Sequence, residues 1–172
     1  MGPLAAIATC LAAYRTFDGR ASRPEFWWFF GLVVLLGFGA MLVDGGLGFD
    51  PMGVKLGPFA GVPGALALQA PVSTLVEIAV LSPLAAAMAR RLHDVGSSGW
   101  LQAPIWAFIL IEPAVAYAMP LTGASPAASA HTAGILLMAC YALWLVRRLA
   151  KPSDPAANRH GPPPSAPAEA AA

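Results

Sequence analysis

Charged residues are scarce in this chain of 172 residues. Asp, Glu, Lys and Arg together make up 11% of the sequence, whereas 58% of the residues are hydrophobic. Ordinary soluble domains carry about 25% charged residues. This scarcity excludes an ordinary soluble domain and predicts a protein that is embedded in a membrane.

Cysteine and histidine are also few. Cys10 and Cys140 stand far apart in apolar surroundings, which excludes a disulfide framework and favours small packing residues over reactive thiols. The three histidines lie on different segments and lack a metal-ligand spacing, so no metal or other cofactor is predicted. Ten Lys and Arg against nine acidic residues form no basic stripe, which excludes nucleic acid as a partner.

Long uncharged runs are present, and four of them predict membrane-spanning helices. The first, from Phe26 to Val43, has 18 residues, about 27 Å of helix against a hydrocarbon core of roughly 30 Å. The other predicted spans cover residues 74–93, 100–121 and 132–149. A loop rich in Gly and Pro, residues 44–71, separates the first two. The predicted fold class is therefore an all-α integral membrane bundle of four transmembrane helices within residues 17–151.

Neither end of the chain has the composition of a span. Residues 1–16 place Leu4, Ile7 and Leu11 at three- and four-residue steps, which predicts a short amphipathic helix lying at the membrane interface. Residues 152–172 are rich in Pro and Ala and contain almost no large apolar side chains. Such a segment cannot bury enough surface to offset its ordering, so a disordered tail is predicted.

Capping patterns predict where two spans begin. Ser22 stands three residues before Glu25, and Thr74 stands three residues before Glu77. In this pattern the hydroxyl accepts from a helix N–H, while the acid reaches back to the cap. The pattern places Glu77 at the interface as a cap, against the alternative of an intramembrane carboxylate in a proton relay.

The positive charges are strongly asymmetric once four spans are assumed. Nine of them fall on the side shared by the N-terminal segment, the turn at 90–99 and the tail, and Lys55 alone falls on the other side. Cytoplasmic loops carry the excess of Lys and Arg, so both termini are predicted to be cytoplasmic. The nine are Arg15, Arg20, Arg23, Arg90, Arg91, Arg147, Arg148, Lys151 and Arg159.

The same topology brings two charged segments to one interface, the start of the first span and the end of the second. Opposite charges there can form an ion-pair network that clamps the two helices together. Arg90, His93 and Asp94 share one helical face, whereas Arg91 is expected to point elsewhere, toward lipid phosphate. The predicted cluster comprises Arg20, Arg23, Glu25, Arg90, Arg91, His93 and Asp94.

These segments resemble a known family. Its motifs are matched by Phe17-Asp18-Gly19-Arg20-Ala21-Ser22-Arg23, Glu25-Phe26-Trp27, Arg90-Arg91-Leu92-His93-Asp94, the Gly-Ser-Ser-Gly-Trp that ends at Trp100, and Asn158-Arg159-His160-Gly161-Pro162. They are similar to those of bacterial inner-membrane proteins grouped as domain of unknown function 805. The resemblance spans residues 14 to 162 and implies a small polytopic protein of the bacterial inner (plasma) membrane with no established activity. The loop at 44–71, Glu112 and the extended tail depart from the family's usual pattern.

Three functions are compatible with these features. The favoured hypothesis is a non-enzymatic component whose cluster holds the bundle together and binds anionic lipid headgroups, a membrane-protein partner or a second copy of the chain. A small oligomeric transporter or channel, with the intramembrane acid Glu112 in its pathway, is the first alternative. The second is a membrane-bound enzyme using His93 and Asp94 as general acid and base, although the motif supplies no nucleophile or metal. No catalytic residue is assigned.

Overall fold

The protein is all-helical in the part of the chain that the structure describes. The computed structural model describes the backbone of residues 1–49, 70–118 and 126–164, and the side chains of these ranges except 112–118 and 126–128. The α-helices there are α1 (Pro3–Ala12), α2 (Arg23–Gly46), α3 (Pro71–Asp94), α4 (Ala103–Ala118) and α5 (Pro126–Leu149), with a short 3-10 helix at Gly99–Gln102 before α4. These ranges hold no named β-strand, which confirms the all-α fold class.

Three helices are long and apolar enough to cross a membrane: α2, α3 and the Ser129–Leu149 part of α5. They contain the predicted spans 26–43, 74–93 and 132–149. Helix α4 has 16 residues, about 24 Å at 1.5 Å per residue, and it falls short of the other three. The predicted span 100–121 is therefore not confirmed as a span. Residues 50–69 of the predicted loop and residues 119–125 lie outside the described residues.

The chain divides into two compact units. The first contains Met1–Leu36, Ile78–Gln102 and Leu145–Ala172, and the second contains Gly37–Glu77 and Ala103–Trp144. Among the described residues, every buried hydrophobic side chain except Ala40 belongs to the first unit. The second unit instead exposes large apolar side chains such as Leu110 and Leu137, as helices that face lipid do.

Helix α1 packs into the first unit through its small side chains. Ala6 and Cys10 are fully buried, whereas Leu4 and Leu11 on the opposite side are exposed. Just after the helix, the carbonyl oxygen of Tyr14 accepts a hydrogen bond of 2.8 Å from Ser82 Oγ on α3. The predicted helix within residues 1–16 is thus present, and its place at a membrane interface stays a prediction.

In the second unit, a carboxylate from α2 caps the N-terminus of α3. The backbone N–H groups of Val72 and Ser73 donate to the two carboxylate oxygens of Asp44 at 3.0 and 2.8 Å, and the Ser73 hydroxyl donates at 2.7 Å. An anion at this position satisfies unpaired helix N–H groups and complements the helix dipole. The capping pattern predicted at Thr74 and Glu77 is therefore wrong, because α3 begins three residues earlier.

Replacing Asp44 with alanine is expected to lower the midpoint of thermal unfolding in detergent by several degrees. The change removes three hydrogen bonds from a fully buried carboxylate and leaves two helix N–H groups without a partner. Glu77→Gln, which neutralises an exposed carboxylate on α3, is the matched control and should leave the midpoint unchanged. Equal midpoints for the Asp44 variant and the parent chain contradict the cap.

Candidate functional site

The start of α2 carries Glu25 into the interior of the first unit. The Ser22 hydroxyl accepts from the Glu25 backbone N–H at 3.4 Å, so the predicted N-cap is confirmed. Pro24 occupies the first turn, where its missing N–H costs nothing. Glu25 is left 4% exposed, and its Oε1 accepts from Arg90 Nη1 of α3 at 2.7 Å. A buried, charge-assisted pair thus joins α2 to α3.

The Glu25–Arg90 pair lies beside the thiol of Cys10 on α1. Cys10 Sγ lies 3.8 Å from Glu25 Oε1 and 3.7 Å from the Glu25 carbonyl oxygen, and the thiol donates toward both. Burial first, and then the charge of Glu25, raises the pKa of Cys10 to about 11. The thiol therefore stays protonated at neutral pH, in keeping with a packing residue. Arg90 Nε and Nη2 are buried and have no hydrogen-bond partner among the described residues.

Asp94 at the end of α3 is the centre of a second ion-pair group. Its Oδ1 accepts from Arg20 Nε at 3.0 Å, and its Oδ2 accepts from Arg91 Nη1. The side chains of Arg20, Arg91 and Asp94 are 1%, 0% and 0% exposed. One carboxylate thus lies between two buried guanidinium groups, which leaves the group with a net positive charge. The remaining guanidinium donors must therefore be satisfied by neutral acceptors.

Arg91 supplies its remaining donors to the C-terminus of α5. Its Nε donates to the Leu149 carbonyl oxygen at 2.9 Å, and its Nη2 donates to the carbonyl oxygen of Lys151. A cation there satisfies unpaired helix carbonyls and complements the negative end of the helix dipole. The expectation that Arg91 points toward lipid phosphate is therefore wrong. Its face of α3 is covered by the end of α5, a neighbour that helical spacing alone does not reveal.

The chain after α5 closes over the second ion-pair group. Residues 154–161, here called the strap, are anchored by the Asp154 N–H, which donates to the Asp94 carbonyl oxygen at 3.1 Å. Arg20 Nη1 donates to the carbonyl oxygen of Ala156 at 2.7 Å. Asn158 Nδ2 donates to the His93 carbonyl oxygen at 3.0 Å. The strap therefore supplies several of the neutral acceptors that the buried arginines require.

The strap differs from the disordered tail expected for residues 152–172. That expectation rested on the lack of large apolar side chains. The strap is ordered without them because backbone and side-chain hydrogen bonds hold it. Asn158 and Gly161 also pair through two backbone hydrogen bonds of 3.1 and 2.9 Å. The described part of the tail ends at residue 164, and residues 165–172 lie outside it.

His93 lies between the segment before α2 and the strap. Its Nδ1 is 3.1 Å from the carbonyl oxygen of Gly19, and because a carbonyl can only accept, Nδ1 carries the proton. Its ring stacks on that of His160, with centroids 3.7 Å apart and planes 5° from parallel. Gly99, at the start of the 3-10 helix, also approaches this ring, since a Cβ added to Gly99 would lie 3.1 Å from His93 Nε2. The close approach of Gly99 to His93 leaves little room for a larger residue at position 99. The Gly19 carbonyl and the His160 ring contact the imidazole to which the enzyme hypothesis assigns proton transfer.

The structure thus brings six of the seven predicted cluster residues together in the first unit: Arg20, Glu25, Arg90, Arg91, His93 and Asp94. Arg23 remains exposed, with no ion-pair partner in the described ranges. The side chain of Glu112, on which the transport hypothesis depends, lies outside the described residues. Among these same residues, no group of three or more His, Cys, Asp or Glu side chains is placed to hold a metal ion.

Three sets of polar contacts were not predicted from the sequence: those of the Cys10 thiol, of the strap carbonyls and of the Asp44 carboxylate. A signal for the strap was nevertheless present, because the Asn158–Pro162 motif is one of those that carry the family resemblance. An Asn and a Gly three residues apart after a helix are turn formers. The docking of this turn on α3 could not be predicted from the motif, because Asn158 donates to the carbonyl oxygen of His93, more than 60 residues away in sequence.

Apolar helices of spanning length, whose ends are joined by buried ion pairs, define a polytopic helical membrane protein. Residues 14–162 match the family described as Protein of unknown function (DUF805), and the chain belongs to that family. It is also similar to Inner membrane protein YhaH of Escherichia coli strain K12 and of Escherichia coli O157:H7. Each is 32% identical over 107 residues, which cover 62% of this chain and 73% of the relative. No solved structure matches significantly. The chain is accordingly a membrane-embedded bacterial protein.

Proposed function

We propose that the protein crosses the inner membrane four times, with both termini in the cytoplasm. Contacts within the first unit support an even number of crossings. The Arg20–Asp94 and Arg90–Glu25 pairs join the start of α2 to the end of α3, and the Arg91 bond to the Leu149 carbonyl joins the end of α3 to the end of α5. If α3 and α5 both span and leave the membrane on one side, the chain must return between them, through α4 and its flanking residues. The nine-to-one charge asymmetry then assigns that side to the cytoplasm.

The function that we propose is binding of anionic lipid headgroups at this cytoplasmic end. The observation that carries it is a division of the cations into two classes. Arg20, Arg90 and Arg91 are buried in ion pairs and hydrogen bonds within the protein. Exposed cations, by contrast, stand beside them at the helix ends: Arg23 at the start of α2, Arg147 in the last turn of α5 and Lys151 just after it.

Each class has a separate role in the proposed site. The buried network fixes the helix ends relative to one another, because Arg20 joins the segment before α2 to α3, Arg90 joins α3 to the start of α2, and Arg91 joins α3 to the end of α5. The exposed cations are thereby held at the level where headgroups lie. A juxtamembrane Lys or Arg gains about 1 kcal/mol near an anionic surface. The predicted cluster placed lipid binding on its buried and exposed arginines alike. This assignment removes Arg20, Arg90 and Arg91 from the lipid site, keeps Arg23, and adds the exposed cations at the end of α5.

Lipid retention measured by native mass spectrometry tests the proposal. The triple variant Arg23→Gln/Arg147→Gln/Lys151→Gln is expected to bind phosphatidylglycerol or cardiolipin about 100-fold more weakly, since three cations at about 1 kcal/mol each are lost. Its thermal stability should stay close to that of the parent chain, because all three side chains are exposed.

Lys55→Gln is the charge-matched control for one cation, since Lys55 is predicted to lie on the opposite side of the membrane. It should not change lipid retention. Retention in the triple variant equal to that of the parent chain contradicts the lipid site. Labelling of engineered cysteines at positions 23 and 147 from opposite sides of the membrane contradicts the four-span topology.

A further inference from the structure

The strap is held at its far end by histidine contacts that depend on the protonation of one ring. His160 Nε2 lies 3.0 Å from Arg159 Nε. Since the guanidinium N–H can only donate, Nε2 of His160 is the acceptor and carries no proton. The His160 ring also stacks on that of His93, with the ring centroids 3.7 Å apart and the planes nearly parallel.

Protonation of His160 breaks this arrangement in two ways. A proton on Nε2 sets an N–H group against the N–H of Arg159, so an acceptor becomes a second donor. The imidazolium also adds a positive charge to surroundings that already contain two arginines. The charged and titratable groups around His160 are His93 on α3, Arg20 and Asp18 on the segment before α2, and Arg159 on the strap itself. Asp94 and Asp154 flank the other end of the strap. There the Asp94 carboxylate and the Asp154 carbonyl oxygen accept from Arg20, and the Asp154 N–H donates to the Asp94 carbonyl oxygen.

We propose that the strap is an acid-released latch, in which protonation of His160 frees residues 154–161 from the ion-pair group of Arg20, Arg91 and Asp94. The segment is suited to release as a unit because no large apolar side chain anchors it. Release removes the Asp154, Ala156 and Gly161 carbonyls that accept from Arg20. Water or an anionic group can then reach a pair that the strap keeps almost completely buried.

The direction of the pH dependence follows from the surroundings of His160. Burial, and then the charges of His93, Arg159 and Arg20, hold the pKa of His160 below its usual 6.5, whereas Asp18 acts in the opposite direction. The released strap therefore binds the proton more readily than the docked strap. Docking is fully favourable above pH 6.5 and weakens as the pH falls below that value.

Hydrogen–deuterium exchange on the full chain in detergent, without added lipid, tests the latch. The reporters are the amides of Asp154, Ala156, Asn158, His160 and Gly161, each of which donates a hydrogen bond in the docked strap. After correction for intrinsic exchange, their protection should fall at least about tenfold between about pH 7.5 and about pH 5.5. Protection in α2 and α3 should not change. Equal strap protection at the two pH values, or simultaneous loss in those helices, overturns the proposal.

Three variants complete the test. His160→Gln keeps an acceptor for Arg159 and cannot take up a proton, so its strap should be equally protected at both pH values. His131→Gln, which removes a histidine of the second unit, should behave like the parent chain. Arg159→Ala removes the N–H donor and the positive charge that oppose protonation of His160 in the docked strap, so it should lower the pH at which the strap is released.

A fall in protection that persists in His160→Gln overturns the latch. If the strap of His160→Gln is unprotected throughout, the Arg159→Ala midpoint decides. A fall in that midpoint supports the latch, and an unchanged or raised midpoint overturns it. Because lipid is absent, these results are independent of the proposed headgroup site.

Discussion

Asp94→Asn is expected to lower the free energy of unfolding by about 3–5 kcal/mol, the range found when one partner of a buried ion pair is removed. The substitution preserves the shape of the side chain and removes its charge. Arg20 and Arg91, which are 1% and 0% exposed, then lose their shared counterion without access to water. The amide NH2 also sets a donor against one of the two guanidinium groups. Denaturant-induced unfolding in detergent, followed by tryptophan fluorescence, measures the loss.

Asp18→Asn is the matched control for this substitution. Asp18 is an exposed carboxylate two residues before Arg20, and its neutralisation should change the unfolding free energy by less than about 0.5 kcal/mol. The Asp94 variant should also lose strap protection, because Asp94 accepts from Arg20 and its backbone accepts from Asp154. Stability within about 0.5 kcal/mol of the parent chain contradicts the assignment of Asp94 as the common counterion.

Glu25→Gln should destabilise the protein by a similar amount, about 3–5 kcal/mol. It leaves Arg90, 6% exposed, without a countercharge, and two of the three guanidinium nitrogens already have no partner among the described residues. The double variant Glu25→Gln/Arg90→Met should recover much of the loss. Replacing a buried charge by an apolar side chain of similar length removes the desolvation penalty, and Cys10 beside the pair tolerates an apolar neighbour.

The recovery distinguishes this explanation from simple loss of packing. If Glu25→Gln is destabilising because Arg90 is left unpaired, removing Arg90 must help, and the two substitutions are strongly non-additive. A double variant as unstable as the single one, or less stable, contradicts the buried-pair account. Arg23→Gln, which neutralises an exposed cation two residues from Glu25, should leave stability unchanged.

The contrast between Arg90 and Arg91 shows where sequence reasoning stops. Helical spacing correctly separates the faces of the two residues, since they point about 100° apart. It does not say what lies on each face. The end of α5, more than 50 residues away along the chain, covers the face of Arg91. A residue that pattern analysis directs toward lipid is therefore completely buried.

Asp44 illustrates the same limit at the other end of α2. A capping box is a local pattern, so Thr74 and Glu77 could be proposed as a cap from sequence alone. The actual cap spans 28 residues and depends on how α2 and α3 approach each other within the second unit. Only the tertiary contact decides which of two acidic residues satisfies the helix N-terminus.

The sequence by itself determined the membrane class, the all-α fold, the positions of three apolar helices and the N-cap at Ser22. These depend on composition, run length and spacing over a few residues, because lipid solvates apolar helices and a helix cap is a local bond. The tertiary structure decided which arginines are buried, which carboxylates pair with them, and that the strap docks on them. Those outcomes depend on the geometry between distant segments. Burial raises the free energy of an unpaired charge by several kcal/mol, and a residue's place in the sequence does not show whether it will be buried.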